Sequence, residues 1–202
     1  MNERVKKYMK DTTLELPILP LAVFLLPDGI TRLRIFEPRY LKMVKIATQG
    51  HGFVLWLKHQ DQEQAMARWG SWVEIINFDQ GSDGVLEIDV KCKAIVDIQK
   101  VVTDDNNLNI GTVCEIPHWS QSTGDNQYSE LGQSLTELLM SDSLFRELYP
   151  KIFAKNINWV VARWLEILPV NLTVKSRFIS VHNYHQAKGF VQSIINNEKN
   201  FN

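Results

Sequence analysis

LPILPLAVFLLPDGITRLRIFEPRY, residues 16–40, is the stretch whose reading decides how the rest of the chain folds. Pro17, Pro20 and Pro27 punctuate an apolar run that includes Val23, Phe24, Leu25 and Leu26. Proline removes a backbone donor and clashes with the preceding helical turn, so this run excludes helix. A strand in it is expected at a sheet edge or interrupted at its start. Pro27-Asp28-Gly29 supplies a turn, because proline presets φ and glycine accepts the positive φ that often closes one. Beyond the turn, Leu33 and Ile35 alternate with Arg32 and Arg34, the pattern of a short strand with one buried and one solvated face. Pro38 then opens a helix whose apolar face is Tyr40, Met43, Val44 and Ala47. The Glu37 carboxylate suits the exposed N–H groups of that helix's first turn.

Working outward, Phe53 to Leu57 is a compact apolar run suited to a strand buried on both faces, and His59 to Arg68 is a polar connection. Trp72 to Phe78 reads as a further strand. Asp79 to Gly84 is the clearest turn in the chain and joins two apolar runs as a hairpin does. After it, Leu86, Ile88, Val90, Cys92, Ala94, Val96 and Ile98 alternate with charged residues in one period-two run, with Ile95 alone placed on the outer face. Asp104 to Asn107 makes another turn, and Leu108 to Ile116 a last strand.

From Pro117 to Gln127 the composition turns polar, which sets a boundary between a β-rich lobe over 1–120 and a helical lobe over 121–202. Leu131, Leu135, Leu138 and Leu139 make one helical stripe, and Leu144, Phe145 and Leu148 a second. Ile157, Val160, Val161, Trp164, Leu165 and Leu168 make a third, stopped by Pro169. Asn171 is expected to cap a final helix with Val174, Phe178, Val181 and His185 on its stripe; Val191, Ile194 and Ile195 sit off that stripe, so a bend or restart is expected past Gly189. Residues 1–13 are polar and read as a loosely docked lead-in.

Composition bounds the function. With 202 residues, 45% of them hydrophobic and 22% charged, the chain is an ordinary globular one able to bury a sizeable core. Its 22 Lys and Arg against 23 Asp and Glu leave a net charge of −1, so no global charge calls for a polyanionic partner. Cys92 and Cys114 match no zinc spacing and are expected reduced. No signal peptide opens the sequence and no apolar run approaches the ~20 residues of a membrane span, which places the protein in the cytoplasm with no membrane partner.

The residues Leu16-Pro17-Ile18-Leu19-Pro20-Leu21, Leu26-Pro27-Asp28-Gly29 and Leu33-Arg34-Ile35-Phe36-Glu37-Pro38-Arg39-Tyr40 resemble the opening of the Lon protease N-terminal, or substrate-binding, domain. Fainter echoes follow at Gly52-Phe53-Val54, Trp69-Gly70-Ser71, Asp83-Gly84-Val85-Leu86 and Leu168-Pro169-Val170, with Lys175 beyond. The resemblance spans roughly residues 14 to 190. It implies an α+β fold, an N-terminal PUA-like β pseudobarrel followed by a C-terminal helical bundle. It also implies a stand-alone, non-enzymatic module that binds unfolded or partly folded polypeptides, with a separate protease as a further expected partner. Where the family tends to place a glycine at the bend of a barrel strand, this sequence has Lys91-Cys92.

Searching for chemistry finds no phosphate-cradling glycine loop and no glycine-framed nucleophile elbow, so no ATPase or protease is expected, though a cleft hydrolase built from distant residues stays open. No cofactor is expected. His182 and His185 have a spacing that metal ligands use, but no carboxylate or thiol sits one turn away, and no metal site is expected. His51, His59 and His118 read as surface or turn residues. The motif nominates Arg34, Glu37, Arg39 and Tyr40 as polypeptide-binding residues. Trp56, Trp69 and Trp72, in or beside the β segments, join them as a candidate aromatic groove. Strand addition at a barrel edge is the other expected mode. The alternative reading is an RNA-binding module using Arg32, Arg34, Arg39, Lys42 and Lys45 with interleaved Phe36 and Tyr40. Its bland counterpart has Tyr40 packed inward and Arg34 paired with Glu37.

Overall fold

The computed structural model describes residues 13–57, 68–119 and 129–199. Apart from Thr13 the polar lead-in lies outside them, as do His59 with most of the connection that follows it and the polar stretch after Trp119. The chain divides into two compact units, Met1–Pro117 and His118–Asn202.

The first unit carries β1 (Thr13–Pro20), β2 (Ile30–Ile35), α1 (Pro38–Ala47), β3 (Phe53–Trp56), β4 (Trp69–Gln80), β5 (Leu86–Thr103) and β6 (Asn109–Ile116). The strands lie in the order β2-β5-β4-β3-β1-β6, and β6 pairs again with β5. Five strands therefore close a ring, and β2 is added to β5 beside it. The proline-bearing strand is thus not an edge. β1 pairs with β6 from Thr13 to Ile18 and with β3 only from Ile18 to Pro20. Pro17 lies in one ladder and Pro20 in the other, so each missing N–H has to be reconciled with a single partner strand. The apolar run from Leu21 to Leu26 is irregular, and its Phe24, Leu25 and Leu26 are buried.

The single period-two reading of β5 is broken by a bulge. Val73 faces Cys92 and Trp72 faces Ala94, leaving Lys93 as the extra residue. Beyond it the parity flips: Ile95, opposite Ser71, lies on the Cys92 face and is fully buried, while Val96 and Ile98 occupy the other face. The bulge bends the strand next to the Lys91-Cys92 position where the family's glycine would stand. Leu16, Ile18, Val54, Val96, Ile98 and Val113 form one buried cluster drawn from four of the ring strands. Close approach there leaves no room for a side chain at Gly111, where a Cβ would stand 2.4 Å from Ile18 Cδ1.

β2 starts from a strained corner. Asp28, not Gly29, takes the positive φ, at 65°. Its N–H donates to the Cys92 carbonyl and the Cys92 N–H donates to the Gly29 carbonyl, at 2.9 and 2.8 Å. The Asp28 carboxylate meets Lys91 Nζ at 2.8 Å.

The second unit is helical: α2 (Glu130–Ser141), α3 (Ser143–Leu148), α4 (Ile157–Ile167), α5 (Leu172–Ser176), a 3-10 turn (Val181–Asn183) and α6 (Tyr184–Lys199). Ser129, Asp142, Asn156 and Asn171 accept backbone N–H bonds at the starts of α2, α3, α4 and α5. α4 is buried from Trp159 to Leu165, and Arg163 within it is fully enclosed, with a two-pronged bond to Glu166 at 2.6 and 2.7 Å. Lys175 Nζ donates to the Glu166 carbonyl at 2.8 Å, closing the C-terminal end of α4.

The helix expected after Asn171, with its break placed past Gly189, is instead two helices and a turn, and it restarts earlier, at Tyr184. Ser180 accepts from the His182 N–H, which caps a fresh start, so α6 buries Ala187, Val191 and Ile195 and leaves His185 exposed. His118 is not a surface residue. Its ring stacks on Trp119 at 4.5 Å and its Nδ1 donates to the Ile179 carbonyl at 3.0 Å. Burial holds its pKa down at about 4, against the raising effect of that bond, and Arg163 lowers it further.

Candidate functional site

A cleft of about 600 Å³ lies in the first unit, between β2 with the first turn of α1 on one side and the segment leaving β1 on the other. Its walls include Leu19, Leu21 and Val23 from that segment and Leu33, Ile35 and Phe36 from the strand. All five residues from Thr31 to Ile35 line it. Successive side chains of a strand point to opposite faces, so a cleft that touches five in a row runs along the strand's edge.

Arg34, Glu37, Arg39 and Tyr40 all line this cleft, so four of the seven nominated residues share one site. The local reason is the Glu37-Pro38 step. Proline at the first helical position turns the chain out of β2 directly into α1, which places Arg39 and Tyr40 beside the strand they follow. The Glu37 side chain makes no capping bond to the helix. It takes a bond from Arg39 Nε at 2.8 Å instead, and the Arg39 guanidinium lies 4.7 Å from the centre of the Tyr40 ring. Burial raises the Tyr40 pKa, the Arg39 charge lowers it and Glu37 raises it again, the balance standing above the ordinary value. Tyr40 is only half-buried, whereas Met43, Val44 and Ala47 are buried on the helix face as expected.

Phe36, expected only among the aromatics of the RNA reading, also lines this cleft. It is 71% exposed at the cleft. The signal lay in parity: positions 32, 34 and 36 share the solvated face of the alternation, and an aromatic ring there is out of place.

Trp56, Trp69 and Trp72 lie elsewhere in the unit. Trp56 and Trp72 both pack against the ring's buried cluster and sit diagonally across β3 and β4, since Trp56 faces Gly70 and Trp72 faces Val54. Trp69 has the opposite parity, is buried, and meets Phe24 edge-on at 5.9 Å. Trp72 donates to the His51 carbonyl at 2.6 Å, and Lys93 Nζ lies 4.4 Å from its ring centre.

The basic cluster is balanced locally. Arg32 holds Asp89 through bonds of 2.7 and 3.1 Å, Arg34 pairs with Asp83 and approaches Glu87 at 3.4 Å, and Lys42 meets Asp104 at 2.7 Å. With Arg39 on Glu37, four of the five cations have a carboxylate, and the expected Arg34–Glu37 pair is replaced by two others. Burial pushes the Asp89 carboxyl up, but bonds from Arg32 and Asn77 outweigh it and leave the pKa below its usual value. The Lys42 bond, with backbone N–H groups of Leu108 and Asn106, holds Asp104 down at about 2. Arg34 likewise holds Asp83 low. Among the described residues no three His, Cys, Asp or Glu gather as metal ligands, and no helix is long and apolar enough to cross a membrane.

Known proteins resemble this chain over most of its length. The model of the ATP-dependent protease La (LON) substrate-binding domain matches residues 15–188. No curated protein matches. Among solved structures, a Lon N-terminal domain protein from Xanthomonas campestris is 26% identical with a TM-score of 0.63, over 86% of this chain and 95% of that one. The N-terminal domain of Mycobacterium avium complex Lon protease, 13% identical with a TM-score of 0.57 over 88% and 96%, shares the fold.

Proposed function

The chain belongs to the LON substrate-binding domain family, and from that premise we propose that it is a non-enzymatic module that binds unfolded or partly folded polypeptide in the cleft beside β2. The strand ring is read here as a PUA-like pseudobarrel, and the cleft as its binding surface. The observation that carries the reading is the exposed Phe36 ring beside the apolar walls of Leu19, Leu21 and Val23, in a space of about 600 Å³. An exposed aromatic ring beside apolar cleft walls takes up side chains that only an unfolded chain exposes. Arg34, Glu37, Arg39 and Tyr40 frame the opening and supply polar contacts at its rim.

RNA gains little support as a ligand, because cations already held by carboxylates release few counterions from a phosphate backbone. The test is equilibrium binding of a labelled, permanently unfolded polypeptide and of single-stranded RNA, each at low and high salt. The proposal expects polypeptide binding that changes less than about threefold with salt. RNA binding that collapses as salt rises, with none to polypeptide, would overturn it.

A further inference from the structure

We infer that the polypeptide enters this cleft as an added β-strand, hydrogen-bonded to the outward backbone of β2 at Arg34 and Phe36. The inference rests on the binding reading above and gives it a geometry. The parity of β2 is fixed at its start, where the Gly29 carbonyl accepts the Cys92 N–H. The register continues regularly as Thr31 opposite Val90, Leu33 opposite Ile88 and Ile35 opposite Leu86. In an antiparallel ladder every second residue turns both its N–H and its C=O to the neighbour, so Thr31, Leu33 and Ile35 spend theirs on β5. Arg34 turns its pair the other way, to the side where the cleft runs and where β2 has no strand neighbour among the described residues. Phe36 continues that parity one step past the strand.

Edge strands of this kind are templates for another chain unless proline, charge or cover blunts them. β2 contains no proline, and Arg34 bends back to Asp83 and Glu87 on the preceding hairpin and β5, while Arg32 holds Asp89 on β5. The ligand class follows from this chemistry: an extended segment with at least two free backbone N–H groups two residues apart, and apolar side chains at the alternate positions that meet Phe36 and Leu21. Main-chain bonds then give tolerance of sequence, and the apolar walls select for hydrophobic segments.

Backbone methylation separates this mode from simple side-chain burial. The probes are three labelled twelve-residue peptides of alternating valine and serine: one unmodified, one N-methylated at every valine, and one N-methylated at every serine. Strand addition predicts that the unmodified peptide binds and that one methylated twin loses tenfold or more while the other binds within about threefold of the parent. Equal binding by all three would overturn the added strand and leave the binding reading standing. No binding by any of them, with an unfolded protein still bound, would overturn it too. On the protein side, Arg34→Pro removes the outward N–H without touching the β5 ladder, and Arg34→Ala removes the same ion pairs but keeps the N–H. Provided that both give the parent far-UV spectrum, the expected result is at least fivefold weaker binding by the proline variant than by the alanine one. Equal affinities would contradict the proposal.

Discussion

β1 and β2 lie close together in the chain, between Thr13 and Ile35, and end in opposite positions. β1 carries Pro17 and Pro20 and lies inside the ring, paired to β6 along its first part and to β3 along its last. β2 has no proline and, among the described residues, is the strand left with one neighbour. The rule that proline marks an edge speaks of a missing N–H, and that N–H matters only where a partner faces it. β1 meets its two partners in succession, with Ile18 the residue shared by both ladders, so it absorbs two prolines and remains central. β2 is held by its ladder to β5 and by side chains: Leu33 and Ile35 beneath, Arg32 and Arg34 to carboxylates of the β4–β5 hairpin above.

The contrast predicts where the chain is fragile. Ile18 is fully buried at the joint of the two β1 ladders. Ile18→Ala is expected to cost about 3–4 kcal/mol, read as a shift in the urea midpoint, because the deleted methyl groups leave a cavity inside a buried cluster. A loss under about 1 kcal/mol would mean that β1 is not the frame of the ring. Asp89→Asn, which loosens β2 through Arg32, is expected to cost about 1–2 kcal/mol. Its effect depends on pH. The folded Asp89 carboxyl titrates below its ordinary 3.8, so its stabilisation is present above that pH and is lost as the pH falls below it. Wild type and variant should therefore differ at pH 7 and converge in acid, once the folded carboxyl is protonated. Asp104→Asn removes only the Lys42 tie from α1 to the β5–β6 turn, and a smaller fall in Tm is expected. That difference should also vanish as the pH falls from 3.8 towards 2. A gap that persisted in acid would show that the charge pair is not its source.

Much of this was legible in the residues. The Leu33/Ile35 alternation gave β2, Pro38 gave the start of α1, and the stripe from Ile157 to Leu165 gave α4, because each rests on a local rule that packing does not override. What escaped were features set by distant partners. The bulge at Lys93 reverses the faces of β5 only because β4 is one residue short there, which no period count along β5 alone reveals. The break before α6 rests on Ser180 capping a turn inside a stretch whose spacing suits one continuous helix. In the site, the motif residues around Glu37 came together as a motif read from the sequence would have them. The tryptophans separated because strand parity sends Trp69 to one face and Trp72 to the other. Phe36 entered only the RNA reading, although its position in the alternation marked it for the cleft.

The measurement that bears most directly on the account is the affinity of a labelled, permanently unfolded polypeptide for wild type and for Phe36→Ser, alongside their urea midpoints. Since Phe36 is exposed, the substitution is expected to change stability by less than about 0.5 kcal/mol. Binding tenfold weaker or worse at unchanged stability is the predicted result. Equal affinity for the two proteins would place the polypeptide somewhere other than the β2 cleft.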